Sequence, residues 1–131
     1  MSDYLADTSV FVAAETGRRP GTSPEGDSRV SVATLTELGL GVRRAPDEET
    51  RRLRGTTLER ARQYIALPFD EAVAERLADI LAEARRQGRR AGAMDAIIAA
   101  TAVTHDLTVW TQDSDFDVLA ELAPSLRVHR G

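Results

Sequence analysis

Short apolar runs alternate along this chain with longer stretches whose apolar residues recur at helical spacing. The first run, Tyr4-Leu5-Ala6, ends in the carboxylate of Asp7 and predicts a buried strand. Thr8 or Ser9 can cap the helix that follows, for which Val10, Phe11, Ala13 and Ala14 supply the apolar residues. Gly17 stops that helix, and residues 16–28, rich in Gly, Pro, Ser and charge, read as a loop. A short β-branched piece at 29–32 predicts a second strand. Leu35, Leu38 and Val42 then fall at helical spacing, with Glu37 among them and Pro46 at the end. Asp47 can cap a polar, Arg-rich helix over 47–66, with Leu53, Leu58, Ala61, Tyr64 and Ile65 as its buried side. It is expected to pack on the preceding helix as a hairpin.

After a short extended piece at 66–69, Asp70 caps an amphipathic helix on which Val73, Leu77, Ile80 or Leu81, and Ala84 share a face. Gln87-Gly88 ends it, and 89–93 is a basic loop. Residues 94–105 are almost all apolar, the pattern of a helix buried on most sides. A strand at 107–110, a short helix through Leu122, a break at Pro124 and an edge strand at 126–129 complete the order. Strands alternating with helices predict a parallel sheet covered on both faces.

Composition narrows the chemistry. The 131 residues, 42% of them hydrophobic, suit one domain with a real core. With no Cys, disulfides and thiolate metal sites are excluded. No run is long enough to span a membrane, and no signal peptide is legible, so a cytoplasmic location is expected. All 17 basic side chains are Arg, so any mechanism that needs a catalytic lysine is excluded. A net charge of −4 argues against strong non-specific nucleic-acid binding, but Arg43-Arg44, Arg51-Arg52-Arg54 and Arg85-Arg86-Arg89-Arg90 could form local basic patches.

Against this background five acidic residues at four sites stand out. Asp7 ends an apolar strand, Glu37 lies within Thr34-Leu35-Thr36-Glu37-Leu38, Asp95 starts an apolar helix, and Asp113 and Asp115 follow the strand at 107–110. Each alone has an ordinary reading: helix-dipole carboxylate, turn or cap residue, solvated helix position. Together they imply more. In a parallel sheet, strand exits and the starts of following helices share one edge, which places Asp7 and Asp113 on the same rim. Converging carboxylates repel, and Mg²⁺ or Mn²⁺, hard cations that prefer oxygen, relieve that repulsion. Such ions suit phosphate chemistry. His105 and His129 read as surface or loop residues, and Trp110 as packing.

The ordered motifs Asp7-Thr8-Ser9-Val10, 34–38, 94–102 and Thr111-Gln112-Asp113-Ser114-Asp115-Phe116 resemble those of a PIN-domain ribonuclease, specifically a VapC-type toxin of a bacterial toxin–antitoxin pair. The resemblance spans essentially the whole chain, 1–131, as one PIN domain. It implies a three-layer α/β/α fold around a central, mainly parallel sheet of four to five strands, and an Mg²⁺- or Mn²⁺-dependent endoribonuclease acting on structured RNA such as tRNA. By motif position, Asp7, Glu37, Asp95 and Asp113 match the family's catalytic acidic quartet. Asp7, Asp95, Asp113 and Asp115 match metal-binding positions, and Thr8, Ser9 and Thr111 match hydroxyls that orient ligands. A homodimer and a cognate VapB-like antitoxin are implied as partners. Arg89 and Arg90 are candidates for holding RNA phosphates. The 16–28 connection is short where many family members carry an extra helix, so that side of the groove is expected to differ. A non-catalytic PIN-like binding protein is the alternative reading. A receiver-like phosphoryl-transfer domain is a further one, which the absence of Lys disfavours.

Overall fold

The computed structural model describes residues 3–17 and 26–131. Most of the 16–28 connection therefore lies outside the described residues. The elements run β1 (Tyr4–Ala6), α1 (Thr8–Glu15), β2 (Ser28–Ser31), α2 (Val32–Arg43), α3 (Glu48–Arg62), β3 (Ala66–Leu67), α4 (Glu71–Arg86), α5 (Ala93–Thr104), β4 (Thr108–Thr111), α6 (Asp115–Leu122) and β5 (Arg127–Arg130). All neighbouring strands pair in parallel, in the order β3-β2-β1-β4-β5. The chain therefore starts at the centre, builds outward through β2 and β3, then crosses back to place β4 on the other side of β1. That reversal leaves a crevice at the carboxyl ends of β1 and β4, where open α/β sheets bind ligands.

Strand alternation divides the core into two layers. Leu5 and Val109 face one side and pack with Val73, Ile98 and Phe116 from α4, α5 and α6. Ala6 and Val30 face the other and pack with Phe11, Leu58 and Ala61 from α1 and α3. The expected α/β/α sandwich with a parallel sheet is thus the observed fold, with five strands. As anticipated, α5 is buried nearly throughout, from Ala96 to Ala102 except for Ile97.

Three local expectations are corrected. Neither Thr8 nor Ser9 caps α1: Asp7 does, accepting the Ser9 N–H at 3.3 Å. Val32 begins α2 and does not continue β2, because Ser31 turns the chain by accepting the Ala33 N–H on its hydroxyl at 3.0 Å. On α3 the buried stripe is Thr57, Leu58 and Ala61, whereas Leu53, Tyr64 and Ile65 are 49%, 40% and 64% exposed. The helix stops at Arg62, so helical spacing no longer governs Tyr64 and Ile65. Thr57 can be buried because its hydroxyl donates to Glu15 Oε2 at 2.8 Å.

Helix ends follow the sequence. Asp47 accepts the Thr50 N–H at 2.7 Å and Asp70 the Val73 N–H at 3.0 Å, capping α3 and α4. Gly88, at φ +67°, turns the chain out of α4 in the left-handed conformation that glycine adopts most easily.

Candidate active site

Asp7 stands at the exit of β1, on the crevice between β1 and β4. Its backbone N–H donates to Trp110 O at 2.8 Å, which ties the exits of the two strands together. The side chain is only 3% exposed, so its charge needs partners. Three donors supply them, all on Oδ2: Ser9 N–H at 3.3 Å, Ser9 Oγ at 2.7 Å and Thr111 Oγ1 at 2.9 Å. The two hydroxyls are 3.1 Å apart. Each hydroxyl has one proton, and both protons point at Asp7. Their lone pairs in turn accept backbone groups of the β4 exit, Gln112 N–H on Ser9 Oγ and Asp113 N–H on Thr111 Oγ1, both at 2.9 Å. Among the described residues no donor reaches Asp7 Oδ1, which is left for the crevice.

Glu37 comes from the second turn of α2. Thr8 Oγ1 donates to Glu37 Oε1 at 2.6 Å and lies 3.3 Å from Thr34 Oγ1. Thr34 is fully buried, and sequence reasoning gave it no role. Its signal was available: three residues before Glu37, it must lie on the same helix face. Asp95 occupies the first turn of α5, whose preceding residue, Gly92, offers no side-chain cap. Asp113 accepts the Asp115 N–H on Oδ1 at 3.0 Å, a local turn that aims the start of α6 at the same rim.

These carboxylates converge. Asp7, Glu37 and Asp95 each place one oxygen within 4.8 Å of the others, and so do Asp95, Asp113 and Asp115. Asp95 belongs to both groups and stands at the centre of the array, with Glu37 toward one end and Asp115 toward the other. Its pKa is pushed up to about 7 from 3.8, first by burial and then by Asp7, Glu37, Asp113 and Asp115. Five carboxylates held this close without a basic partner among them are a donor set that fits a hard divalent cation.

Of the expected supporting residues, Thr8, Ser9 and Thr111 all contact a carboxylate of the array. The arginines divide. Arg89 is ion-paired to Glu121, whereas Arg90 makes no ion pair among the described residues and lines a cavity with Asp95 and Asp115. The histidines take no part: His105 caps the end of α5 in solvent, and His129 packs edge-on against Tyr4 at 6.0 Å between ring centroids. Larger cavities lie elsewhere. One of about 590 Å³ beside α2 and α3, lined by Leu35, Gly39 and Leu58 among others, contains none of the acidic residues.

A parallel α/β/α sandwich with acidic residues gathered at its switch point defines a class, and comparison with known proteins identifies it. The PIN domain family model matches residues 4–122. Ribonuclease VapC4 of Mycobacterium tuberculosis is 39% identical over 119 residues, covering 90% of this chain and 92% of that protein. The crystal structure of VapBC-5, a member of the VapBC family of toxin–antitoxin systems from Mycobacterium tuberculosis, superposes with a TM-score of 0.85 at 32% identity over 100% of both chains. FitAcB from Neisseria gonorrhoeae gives 0.70 at 30% identity, over 97% of this chain and 96% of the other. The chain belongs to the PIN-domain family and, within it, to the VapC ribonucleases of toxin–antitoxin pairs.

Proposed function

We propose that this chain is a toxin whose activity is Mg²⁺- or Mn²⁺-dependent endonucleolytic hydrolysis of RNA, with Asp7, Glu37, Asp95 and Asp113 at its centre. The convergence of carboxylates around Asp95 carries the reading, because a purely structural module gains nothing from clustered, mutually repelling acids. Asp7, Asp95, Asp113 and Asp115 would hold the cation. When bound there, the cation supplies positive charge to the scissile phosphate and lowers the pKa of the attacking water.

The chain's own residues prepare the site. Ser9 and Thr111 hold Asp7 by Oδ2 and so present Oδ1 to the crevice. Thr8 holds Glu37 by Oε1, which leaves Oε2 to orient a water or reach the cation. Asp95 can carry a proton near neutral pH in the absence of a cation and gives it up when one binds. No protein nucleophile is required.

By family, structured RNA such as tRNA is the substrate class, a VapB-like antitoxin the partner, and a homodimer of single PIN domains the assembly. Among the described residues no helix is long and apolar enough to cross a membrane. The test compares cleavage of RNA with Mn²⁺ by wild type, Asp7→Ala and Asp95→Ala. Loss of at least about a hundredfold is expected for each variant, the scale on which removal of one electrostatic contact to a transition state is felt. Undiminished cleavage by both variants overturns the site.

A further inference from the structure

The acidic array has a cavity at each end. Beyond Glu37 lies one of about 270 Å³, whose lining includes Thr8, Glu15, Glu37, Gly41 and Arg54. Beyond Asp115 lies one of about 190 Å³, whose lining includes Arg90, Gly92, Asp95 and Asp115. Each shares a carboxylate or two with the array and has one arginine in its wall. The two ends are distinct, since Glu37 groups with Asp7 and Asp95 while Asp115 groups with Asp95 and Asp113.

Among the described residues the chain's other clustered arginines either lie away from both cavities without an ion pair, as Arg43, Arg44 and Arg85 do, or are neutralised. Arg51 and Arg52 both pair with Glu48, Arg86 with Glu83, and Arg89 with Glu121. Arg54 and Arg90 make no ion pair among the described residues. Arg54 is instead fixed to a neighbouring helix: its Nη1 donates to Gly41 O at 2.8 Å, bracing α3 against α2. Glu15, the other carboxylate in that cavity, accepts the Thr57 hydroxyl.

From this the geometry points to Arg54 and Arg90 as positioning residues that hold the RNA backbone on either side of the scissile phosphate. The inference rests on the ribonuclease reading above and adds the path of the strand. The physical need is plain. The protein has a net charge of −4 and five carboxylates at its centre, so a polyanion meets repulsion unless cations flank the approach. A guanidinium matches a phosphate with two parallel N–H donors, and a braced one loses less freedom on binding. Holding the strand at two points brings the bond between them to the acidic centre. The Arg54 side of this path was not legible in the sequence, where Arg54 is one of five arginines in a polar helix.

The experiment uses the full chain in EDTA, so binding is read without cleavage, and a fluorescein-labelled single-stranded RNA 12-mer of mixed sequence. Anisotropy gives affinity over a range of salt concentrations. Arg54→Gln and Arg90→Gln should each weaken binding about tenfold. Each should also lower the slope of log affinity against log salt by about 0.7, the share of one phosphate contact on a single strand. Arg54→Lys should restore the slope. Arg51→Gln, whose native residue is paired and 60% exposed, should change neither quantity. Arg90→Gln breaks no side-chain hydrogen bond or ion pair among the described residues, so loss of structure cannot account for its effect. Slopes unchanged in both Gln variants, or no binding of this RNA by wild type, overturn the inference. So do variants that weaken binding of a VapB-type antitoxin but leave the RNA slope alone, which would assign the two arginines to that partner. Altered slopes in a protein that cleaves no RNA with Mn²⁺ would sink the ribonuclease reading and leave the binding path standing.

Discussion

Replacing Asp95 by Asn should stabilise the metal-free protein above neutral pH, although it removes a residue at the centre of the site. The folded-state pKa of Asp95 is about 7 against 3.8 for an ordinary Asp. Between those values the folded protein holds a proton there that the unfolded chain has lost. Stability therefore falls as pH rises, from a contribution fully present below about pH 4 to one lost above pH 7. The full difference between the two protonation states corresponds to ~4 kcal/mol. Asp95 is only half-buried, and solvent screening reduces this to about 2 kcal/mol. One effect opposes it. Asp95 sits in the first turn of α5, where a negative charge gains ~0.3–1 kcal/mol from the helix dipole. Repulsion and burial still win, which the upward direction of the pKa already states. Asp95→Asn should thus be more stable than wild type by about 1–2 kcal/mol at pH 8, with the difference closing toward pH 4. Urea denaturation of both proteins in EDTA, from pH 4 to pH 8, measures it. Parallel pH profiles, or a less stable Asn variant at pH 8, would refute the reasoning, because either means that the neighbouring carboxylates do not burden Asp95.

Four further outcomes follow from the same geometry. Mn²⁺ binding at pH 6 should release close to one proton, and at pH 8 far less, since the cation ionises Asp95; calorimetry in two buffers of different ionisation enthalpy counts the protons. Thr111→Val removes a donor from Asp7 Oδ2 and the acceptor of the Asp113 N–H, and should weaken Mn²⁺ binding by about 10–100-fold in a titration, with the fold retained by circular dichroism. Phe116→Ala empties a fully buried position in the larger core and should cost ~3–5 kcal/mol in urea denaturation. Gly88→Ala has open space for its methyl group but must hold φ +67°, and should cost about 1 kcal/mol in the same assay.

Much of this was legible in one dimension. Helix and strand are local, and their periods of 3.6 and 2 are written in the spacing of apolar residues. So the element order, the parallel sheet, the Asp47 and Asp70 caps and the burial of α5 could be read directly. The positions of the acidic residues were legible too, because a carboxylate ending an apolar strand or opening an apolar helix departs from its surroundings. Three things were not. The buried stripe of α3 depends on where α1 and α2 press against it, so Thr57 is inside and Leu53 outside. That Arg54 and Arg90 make no ion pair among the described residues depends on which neighbours find a carboxylate, and Glu121 reaches Arg89 from 32 residues away. The proton affinity of Asp95 depends on four carboxylates from three other parts of the chain. Sequence by itself determined which residues could do chemistry and roughly where each element began. Only the tertiary structure decided which of them meet, because the crossing back from β3 to β4 sets the exit of β4 beside that of β1 and brings Asp7 and Asp113 each to Asp95, and charge interactions act through space and not along the chain.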